Sequence, residues 1–201
     1  MNSYTNTGKG YLFIVSGPSG VGKTVLCNAI VNRFAPAVVY SISTTSRAPR
    51  GGETDGQEYN FCSAETFEGA IKRNEFAEWA FVHGNYYGTP RQFLTDNLEA
   101  GRHVILNIDV QGAMKIRDEY PEAVMIFILP PTFEELESRI RKRNMDSEHS
   151  LQHRLENARK ELGYQSQYHH AIVNDNLEMA KSELIKIFAG YISCEGSTSQ
   201  A

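Results

Sequence analysis

The run Tyr11-Leu-Phe-Ile-Val-Ser16, followed at once by Gly17-Pro-Ser-Gly-Val-Gly22-Lys23-Thr24, decides the fold. The first six residues have the length and apolar character of a buried strand. After the glycine-rich turn, Leu26, Ile30 and Phe34 recur at helical spacing. Strand, loop and helix thus follow in order, and the loop spells G-x-x-x-x-G-K-[ST], the pattern that cradles nucleotide phosphates. Glycines let the backbone take positive φ and turn its N–H groups inward, and the next helix adds the partial positive charge of its N-terminus. Lys23 can reach the β- and γ-phosphates as a point charge, and the Thr24 hydroxyl can face Mg²⁺. The candidate phosphate-binding residues are therefore Gly17, Pro18, Ser19, Gly20, Val21, Gly22, Lys23 and Thr24. The motif leaves open whether ATP is hydrolysed, donates a phosphoryl group or switches a partner.

Outward from this loop, apolar runs of strand length lie at 11–16, 37–42, 78–82, 103–108, 124–129 and 171–173. Helix-patterned segments are predicted at 22–34, 64–73, 90–100, 112–120, 132–143, 150–167 and 177–192. Strands alternating with helices predict a parallel α/β sheet. Leu12-Phe-Ile-Val15, Val104-Ile-Leu106 and Met125-Ile-Phe-Ile-Leu129 are almost wholly apolar, as central strands covered on both faces are. Two stretches break the rhythm, the polar and turn-rich 43–62 and the arginine-rich 139–159, and both read as insertions.

The 201 residues suffice for one domain with small insertions. Lys and Arg number 20 against 24 Asp and Glu, a net charge of −4 that offers no global field for a nucleic-acid backbone. The longest apolar stretch, Ala123 to Leu129, is far short of the roughly 20 residues of a spanning helix, so no membrane role is expected. The opening residues 1–10 are polar, without a signal-peptide core. Cys27, Cys62 and Cys194 are scattered and lack any C-x-x-C pair, which reads as reduced thiols in a cytoplasmic protein without a zinc site.

A second anion site is suggested by Ser43-Thr-Thr-Ser-Arg47-Ala-Pro-Arg50, with Tyr59 shortly after. Two guanidiniums offer bidentate geometry to phosphate oxygens and the phenol a neutral donor. The same fragment read alone is equally a solvated basic loop. The strand 103–108 leads into Asp109 at the end of a parallel sheet where ligands bind, so its carboxylate can serve Mg²⁺ waters or a base.

Taken together, the phosphate loop, S-T-T-S-R-A-P-R, E-W-A-x-x-x-G-N-Y-Y-G-T, N-I-D-V-Q-G, F-I-L-P-P and I-V-N-D resemble the guanylate kinase family, from about Gly10 to about Ile187. The resemblance implies an α/β fold: a P-loop kinase core (about 10–42, 93–134 and 169–192) with a central parallel sheet flanked by helices. It also implies a small mixed α/β GMP-binding insertion (about 43–92) and a helical lid (about 135–168). The implied reaction is Mg·ATP plus GMP, or dGMP, giving ADP and GDP, by a monomer or homodimer.

The resemblance places Arg47, Arg50, Tyr59 and Tyr87 on the GMP phosphate, and Ser43, Glu78, Thr89 and Asp109 on the guanine edge. Guanine presents N1–H and its 2-amino group side by side to a carboxylate, whereas adenine would leave Glu78 desolvated and unpaired. Arg139, Arg143 and Arg154 match lid arginines that clamp the transferring phosphates, with Arg47 and Lys23 sharing the catalytic charge work. Without the resemblance, Arg139 and its neighbours Glu135, Glu137, Arg141, Lys142 and Glu156 read as ordinary surface pairs. Thr24 and Asp109 are the expected Mg²⁺ contacts, through water. Asn174 and Asp175 match positions near the ATP adenine.

The chain departs from the family at Asn107, where an Asp is usual, and at Asn144, where a Gly follows the second lid arginine. The expected cofactor is Mg²⁺, with ATP as co-substrate and no nucleic-acid partner. The competing reading is a non-catalytic guanylate-kinase-like module that binds nucleotides or peptides. The intact Gly22-Lys23-Thr24 opposes it. No N-K-x-D motif supports a signalling GTPase, and the pairing of Glu78 with Ser43 conflicts with another nucleoside monophosphate kinase. His169-His170 reads as a strand-edge pair.

Overall fold

A computed structural model describes residues 8–82, 84–143 and 148–193, without the side chains of residues 143 and 148–150. Five parallel strands form the main sheet: β1 (Leu12–Ser16), β2 (Val38–Tyr40), β7 (His103–Asn107), β8 (Val124–Leu129) and β9 (His170–Val173). Their spatial order is β2-β7-β1-β8-β9. The chain reaches β7 on one side of β1 and β8 on the other, so the reversal of strand order falls at the carboxyl end of β1. Open α/β sheets bind ligands at that point.

Alternation along β1 explains the two-sided core. Phe13 and Val15 point to one face with Ile105, Ile126 and Ile128, under α1 (Lys23–Phe34) and α7 (Leu177–Ile192). Leu12 and Ile14 point to the other with Val104, Leu106 and Met125, under α3 (Arg91–Glu99) and α4 (Val110–Glu119). The Phe13 and Phe188 rings stack with centroids 3.9 Å apart, and both residues are fully buried. Burying such a side chain contributes about 1.5–3 kcal/mol. Helices α5 (Phe133–Arg143) and α6 (Glu148–Leu162) follow β8, and Leu136, Ile140, Leu151, Leu155 and Ala158 anchor them to the first face.

The chain between β2 and α3 builds a second sheet instead of extending the first. Its order is β4-β3-β6-β5, from β3 (Thr44–Thr45), β4 (Asn60–Phe61), β5 (Phe76–Val82) and β6 (Asn85–Pro90), with α2 (Ala64–Lys72) packed against it. This corrects the reading from apolar periodicity alone in two respects. The apolar run at 78–82 pairs antiparallel with β6, outside the parallel sheet. The polar stretch 43–62 supplies two short strands, β3 and β4, which pair parallel to each other. One face of this sheet is aromatic: Phe67 stacks on Phe76 and on Tyr86, at 4.3 and 5.2 Å between centroids. Gly88 makes that packing fit, because a Cβ there would lie 2.9 Å from both Phe67 and Phe76. The predicted helix at 150–167 divides into α6 and a short 3₁₀ turn at Gln165–Gln167.

His169 and His170 sit at edge strand β9. His169 Nδ1 accepts from the Met125 amide at 3.0 Å, and His170 Nε2 lies 3.1 Å from the Tyr191 hydroxyl. Cys27 is buried and Cys62 partly so, both as free thiols, while Cys194 lies outside the described residues. Among the described residues no helix is long and apolar enough to cross a membrane.

Candidate active site

The phosphate loop occupies the carboxyl end of β1. Gly22 precedes α1 in a left-handed conformation (φ 100°), no side chain caps the helix, and no acidic residue stands in its first turn. The first amides of α1 are therefore left to an anion. Gly17 is required on two grounds: its φ is +139°, and a Cβ would stand 2.3 Å from the Ile128 carbonyl oxygen. Lys23 Nζ donates to the carbonyls of Gly17 and Pro18, at 2.5 and 3.1 Å, folding back over the loop.

Two further residues bond to the loop, Arg154 and Asn174, and Arg139 joins it through Asn174. Arg154, on α6, donates from Nη2 to Ser19 Oγ at 3.1 Å. Arg139, on α5, donates to the Asn174 carbonyl at 3.1 Å and to Glu135 at 3.2 Å. Asn174 itself is buried just after β9 and donates from Nδ2 to the Val21 carbonyl at 2.8 Å. Its amide is thus engaged with the loop backbone. The surface-pair reading holds for Arg141, which pairs with Glu137. The Arg143 side chain and Asn144 lie outside the described residues.

The face of the second sheet opposite the aromatics carries Glu78, Thr89 and Tyr87. Glu78 on β5 and Thr89 on β6 are cross-strand partners, and Thr89 Oγ1 donates to Glu78 Oε1 at 2.7 Å. Both side chains are buried. Desolvation pushes the Glu78 carboxyl up to about 7, against the Thr89 hydrogen bond and Lys115, while Asp109 adds to the rise. Opposite stands Gly112 of α4, whose missing side chain gives the carboxylate room.

Farther along this sheet, Arg47 forms a two-pronged pair with Glu53, both contacts at 2.9 Å. Its guanidinium lies over the rings of Tyr59 and Phe61, 5.4 and 5.8 Å from their centroids. Tyr59 meets Tyr87 edge-on at 5.9 Å, and burial raises the Tyr59 hydroxyl above its ordinary range. Arg50 lies on the exposed turn nearby, and Ser43 accepts the Asn60 amide on its carbonyl at 2.9 Å.

Between these two regions ends β7. Asn107 donates from Nδ2 to Thr24 Oγ1 at 3.1 Å. Asp109 caps α4, its Oδ1 accepting from the Gly112 amide at 2.9 Å. One carboxylate oxygen is thereby committed to the helix. Two acidic residues that sequence reading did not single out complete the picture. Glu53 holds Arg47, and Glu161 of α6 is half-buried and pushed up to about 7 by desolvation, with Lys23 opposing and Asp109 reinforcing the shift. Glu161 follows Arg154 by seven residues, two helical turns, and that spacing was the available signal.

A phosphate loop at the switch point of a parallel sheet, facing a buried carboxylate on a separate small sheet, defines a P-loop nucleotide-binding protein of the kinase fold. The sequence profile of the guanylate kinase family matches residues 9–191. A guanylate kinase of Fusobacterium nucleatum is 47% identical over 178 residues, covering 89% of this chain and 95% of its own. One from Caldanaerobacter subterraneus is 45% identical over 176 residues, covering 88% and 85%. The crystal structure of guanylate kinase from Anaplasma phagocytophilum superposes with a TM-score of 0.74 at 33% identity, covering 91% of this chain and 86% of that one. The chain belongs to the guanylate kinase family.

Proposed function

We propose that this chain moves the γ-phosphoryl group of ATP to GMP, and to dGMP, releasing ADP and GDP. Beyond family membership, the observation that carries this reading is the buried Glu78–Thr89 pair facing Gly112. When ionised, Glu78 accepts N1–H and the 2-amino group of guanine together. Adenine offers no such pair of donors, so a desolvated carboxylate would be left unsatisfied. Thr89, Ser43 and Asp109 complete the base edge.

The acceptor phosphate is gripped by Arg47, Arg50, Tyr59 and Tyr87. The donor phosphates rest on residues 17–24, with the open amides of α1 and the Lys23 ammonium around them. Asn174 stands behind the loop on the adenine side. An oxygen of the GMP phosphate attacks the γ-phosphorus, the bond to the β–γ bridging oxygen breaks, and that oxygen leaves with ADP. Because the attacking group is already anionic, catalysis is positioning and charge stabilisation. Arg139, Arg143 and Arg154 supply the charge from the helices, and their elements form a lid over a core that also carries the GMP-binding insertion. Closure excludes water and so suppresses ATP hydrolysis.

Oxygen donors at the end of β7 suit a hard dication: Thr24 Oγ1, the Asn107 amide oxygen and the uncommitted oxygen of Asp109. Among the described residues no three His, Cys, Asp or Glu side chains are grouped to hold a metal unaided. Mg²⁺ bound here with ATP would offset charge on the β- and γ-phosphates. ADP release is measured with Mg·ATP and GMP, AMP, CMP or UMP in turn. Turnover with GMP alone supports the assignment, and binding of ATP and GMP without turnover sinks it in favour of a binding module.

A further inference from the structure

We infer that Glu53 is a positioning residue for the acceptor-phosphate clamp, fixing Arg47 and the turn that carries Arg50. The inference rests on the proposed role of Arg47 and Arg50 in gripping the GMP phosphate. Arg47 has five N–H bonds. Nη1 donates to the Ala48 carbonyl at 2.8 Å and to Glu53 Oε2 at 2.9 Å, while Nη2 gives one bond to Glu53 Oε1 at 2.9 Å. The end of the guanidinium is thereby taken up. The edge made by Nε and the second proton of Nη2 lies beside Tyr87, whose hydroxyl also hydrogen-bonds the guanidinium, and that fork matches two phosphate oxygens once the hydroxyl gives way.

The same carboxylate also builds the turn. Glu53 Oε2 accepts the Arg50 amide at 2.7 Å, and the Glu53 amide donates to the Arg50 carbonyl at 3.0 Å. Gly52, at φ +87°, supplies the left-handed conformation that closes it. Both partners of the ion pair are largely covered, with side chains 12% and 20% exposed. The hydrogen bonds hold Arg47 above its ordinary range and Glu53 below its own, and Tyr87 adds a smaller contribution on the arginine. A long arginine side chain in a polar loop would otherwise sample many rotamers, and binding would have to order it. Glutamine at position 53 would set its NH₂ either against Arg47 Nη2 in place of Oε1, breaking one of the three contacts, or against both Arg47 Nη1 and the Arg50 amide in place of Oε2, breaking two.

The test compares the full-length wild type with Glu53→Gln at saturating Mg·ATP. KM for GMP should rise about tenfold, the size of one charge-assisted hydrogen bond. The maximal rate and KM for ATP should stay within about twofold, showing that the variant is folded. Calorimetry should show the affinity for GMP falling equally while that for guanosine, which lacks the phosphate, is unchanged. In an Arg47→Ala background, Glu53→Gln should raise KM for GMP by less than it does alone, leaving only the share that acts through the Arg50 turn. An unchanged or lowered KM for GMP in Glu53→Gln, with Arg47→Ala still impaired, overturns the positioning role and leaves the clamp standing. An Arg47→Ala variant with normal KM for GMP removes the clamp, and the role of Glu53 with it.

Discussion

Gly112 and Glu78 approach so closely that a Cβ on residue 112 would lie 2.9 Å from Glu78 Oε2 and 3.1 Å from its Cδ. The same Gly112 amide donates to Asp109. One backbone position therefore links the Glu78 carboxylate, proposed to read the base, to the residue just past the end of β7. Alanine there favours the helix by up to about 1 kcal/mol, so the melting temperature should change by only a few degrees. It must nevertheless displace Glu78. For Gly112→Ala we expect KM for GMP to rise about tenfold, with KM for ATP unchanged; equal GMP kinetics in both proteins would show that Glu78 does not need this space.

On the proposed reading of guanine by Glu78, its raised carboxyl should make GMP recognition dependent on pH. Only the ionised form accepts two guanine donors, and with ionisation centred at about 7 roughly a tenth is ionised at pH 6. KM for GMP should therefore rise about tenfold from pH 8 to pH 6. The substrate phosphate also titrates near pH 6. Glu78→Gln isolates that contribution, since its weaker GMP use should carry only the phosphate's own dependence. Wild type and variant with the same pH profile would exclude Glu78 as the titrating group.

Stability follows with the opposite sign. Because the folded protein holds this proton more tightly than an unfolded chain, whose value is near 4.5, the penalty is absent below about pH 4.5. It grows as pH rises and is complete above about 7. Glu161 shares that window. Chemical denaturation at pH 8 should find Glu78→Gln more stable than wild type by about 1–3 kcal/mol, and at pH 4 the gap should close. A gap that persists at pH 4 would assign the gain to packing.

The parallel core was legible because its strands are apolar runs of sufficient length, and burial on both faces demands that composition. The second sheet was less so. Thr44–Thr45 and Asn60–Phe61 are two-residue strands, too short for any periodicity, and β6 hides its alternation behind Gly88 and Thr89. β5 carries an ordinary apolar pattern; what makes it an antiparallel partner is the two-residue connection from Val82 to Asn85, and the rings packed over Gly88 cover one face of the pair. In the site, the phosphate loop was readable since backbone chemistry dictates its spelling. Glu53 was not, because a carboxylate in a polar loop acquires meaning only when the turn brings it back onto Arg47. Gly112 lies in a helix-patterned segment, and its role follows only from the fold, which sets Glu78 where its side chain would be.

Lys23 is bound to the carbonyls of its own loop, so removing it takes away a brace and, on the proposed reading, a phosphate ligand. Lys23→Ala should lower kcat by two to three orders of magnitude, the usual scale for one preorganised charge-stabilising donor. GMP binding, measured by calorimetry, should be unaffected, as the proposed acceptor clamp lies on another sheet. Wild-type turnover in this variant would remove Lys23 from the chemistry.

Asn174 braces the loop from behind. Its side chain is buried against Gly22, where a Cβ would come within 2.5 Å of Nδ2, and it satisfies the Val21 carbonyl. Asn174→Ala leaves that carbonyl unpaired beside a small void, which should destabilise the fold by about 1–3 kcal/mol. KM for ATP should rise while KM for GMP holds. Thermal melts and initial rates check both, and an unperturbed melt would mean that water replaces the amide fully.

Asn107 bonds directly to the hydroxyl of Thr24, donating to an oxygen that would otherwise have both lone pairs for a dication. A carboxylate at this position cannot donate. In Asn107→Asp the hydroxyl must turn its proton toward residue 107, which frees its lone pairs and adds a negative charge beside Asp109. Both changes favour a hard dication. The Mg²⁺ concentration giving half-maximal turnover at fixed ATP should fall several-fold, and Mn²⁺ titrated into the nucleotide-free variant should bind more tightly than to wild type. The added charge also faces the phosphates, so ATP affinity measured without metal should drop. If the metal requirement stays put while metal-free ATP binding weakens, the amide is a brace for Thr24 and the metal contacts lie on Asp109.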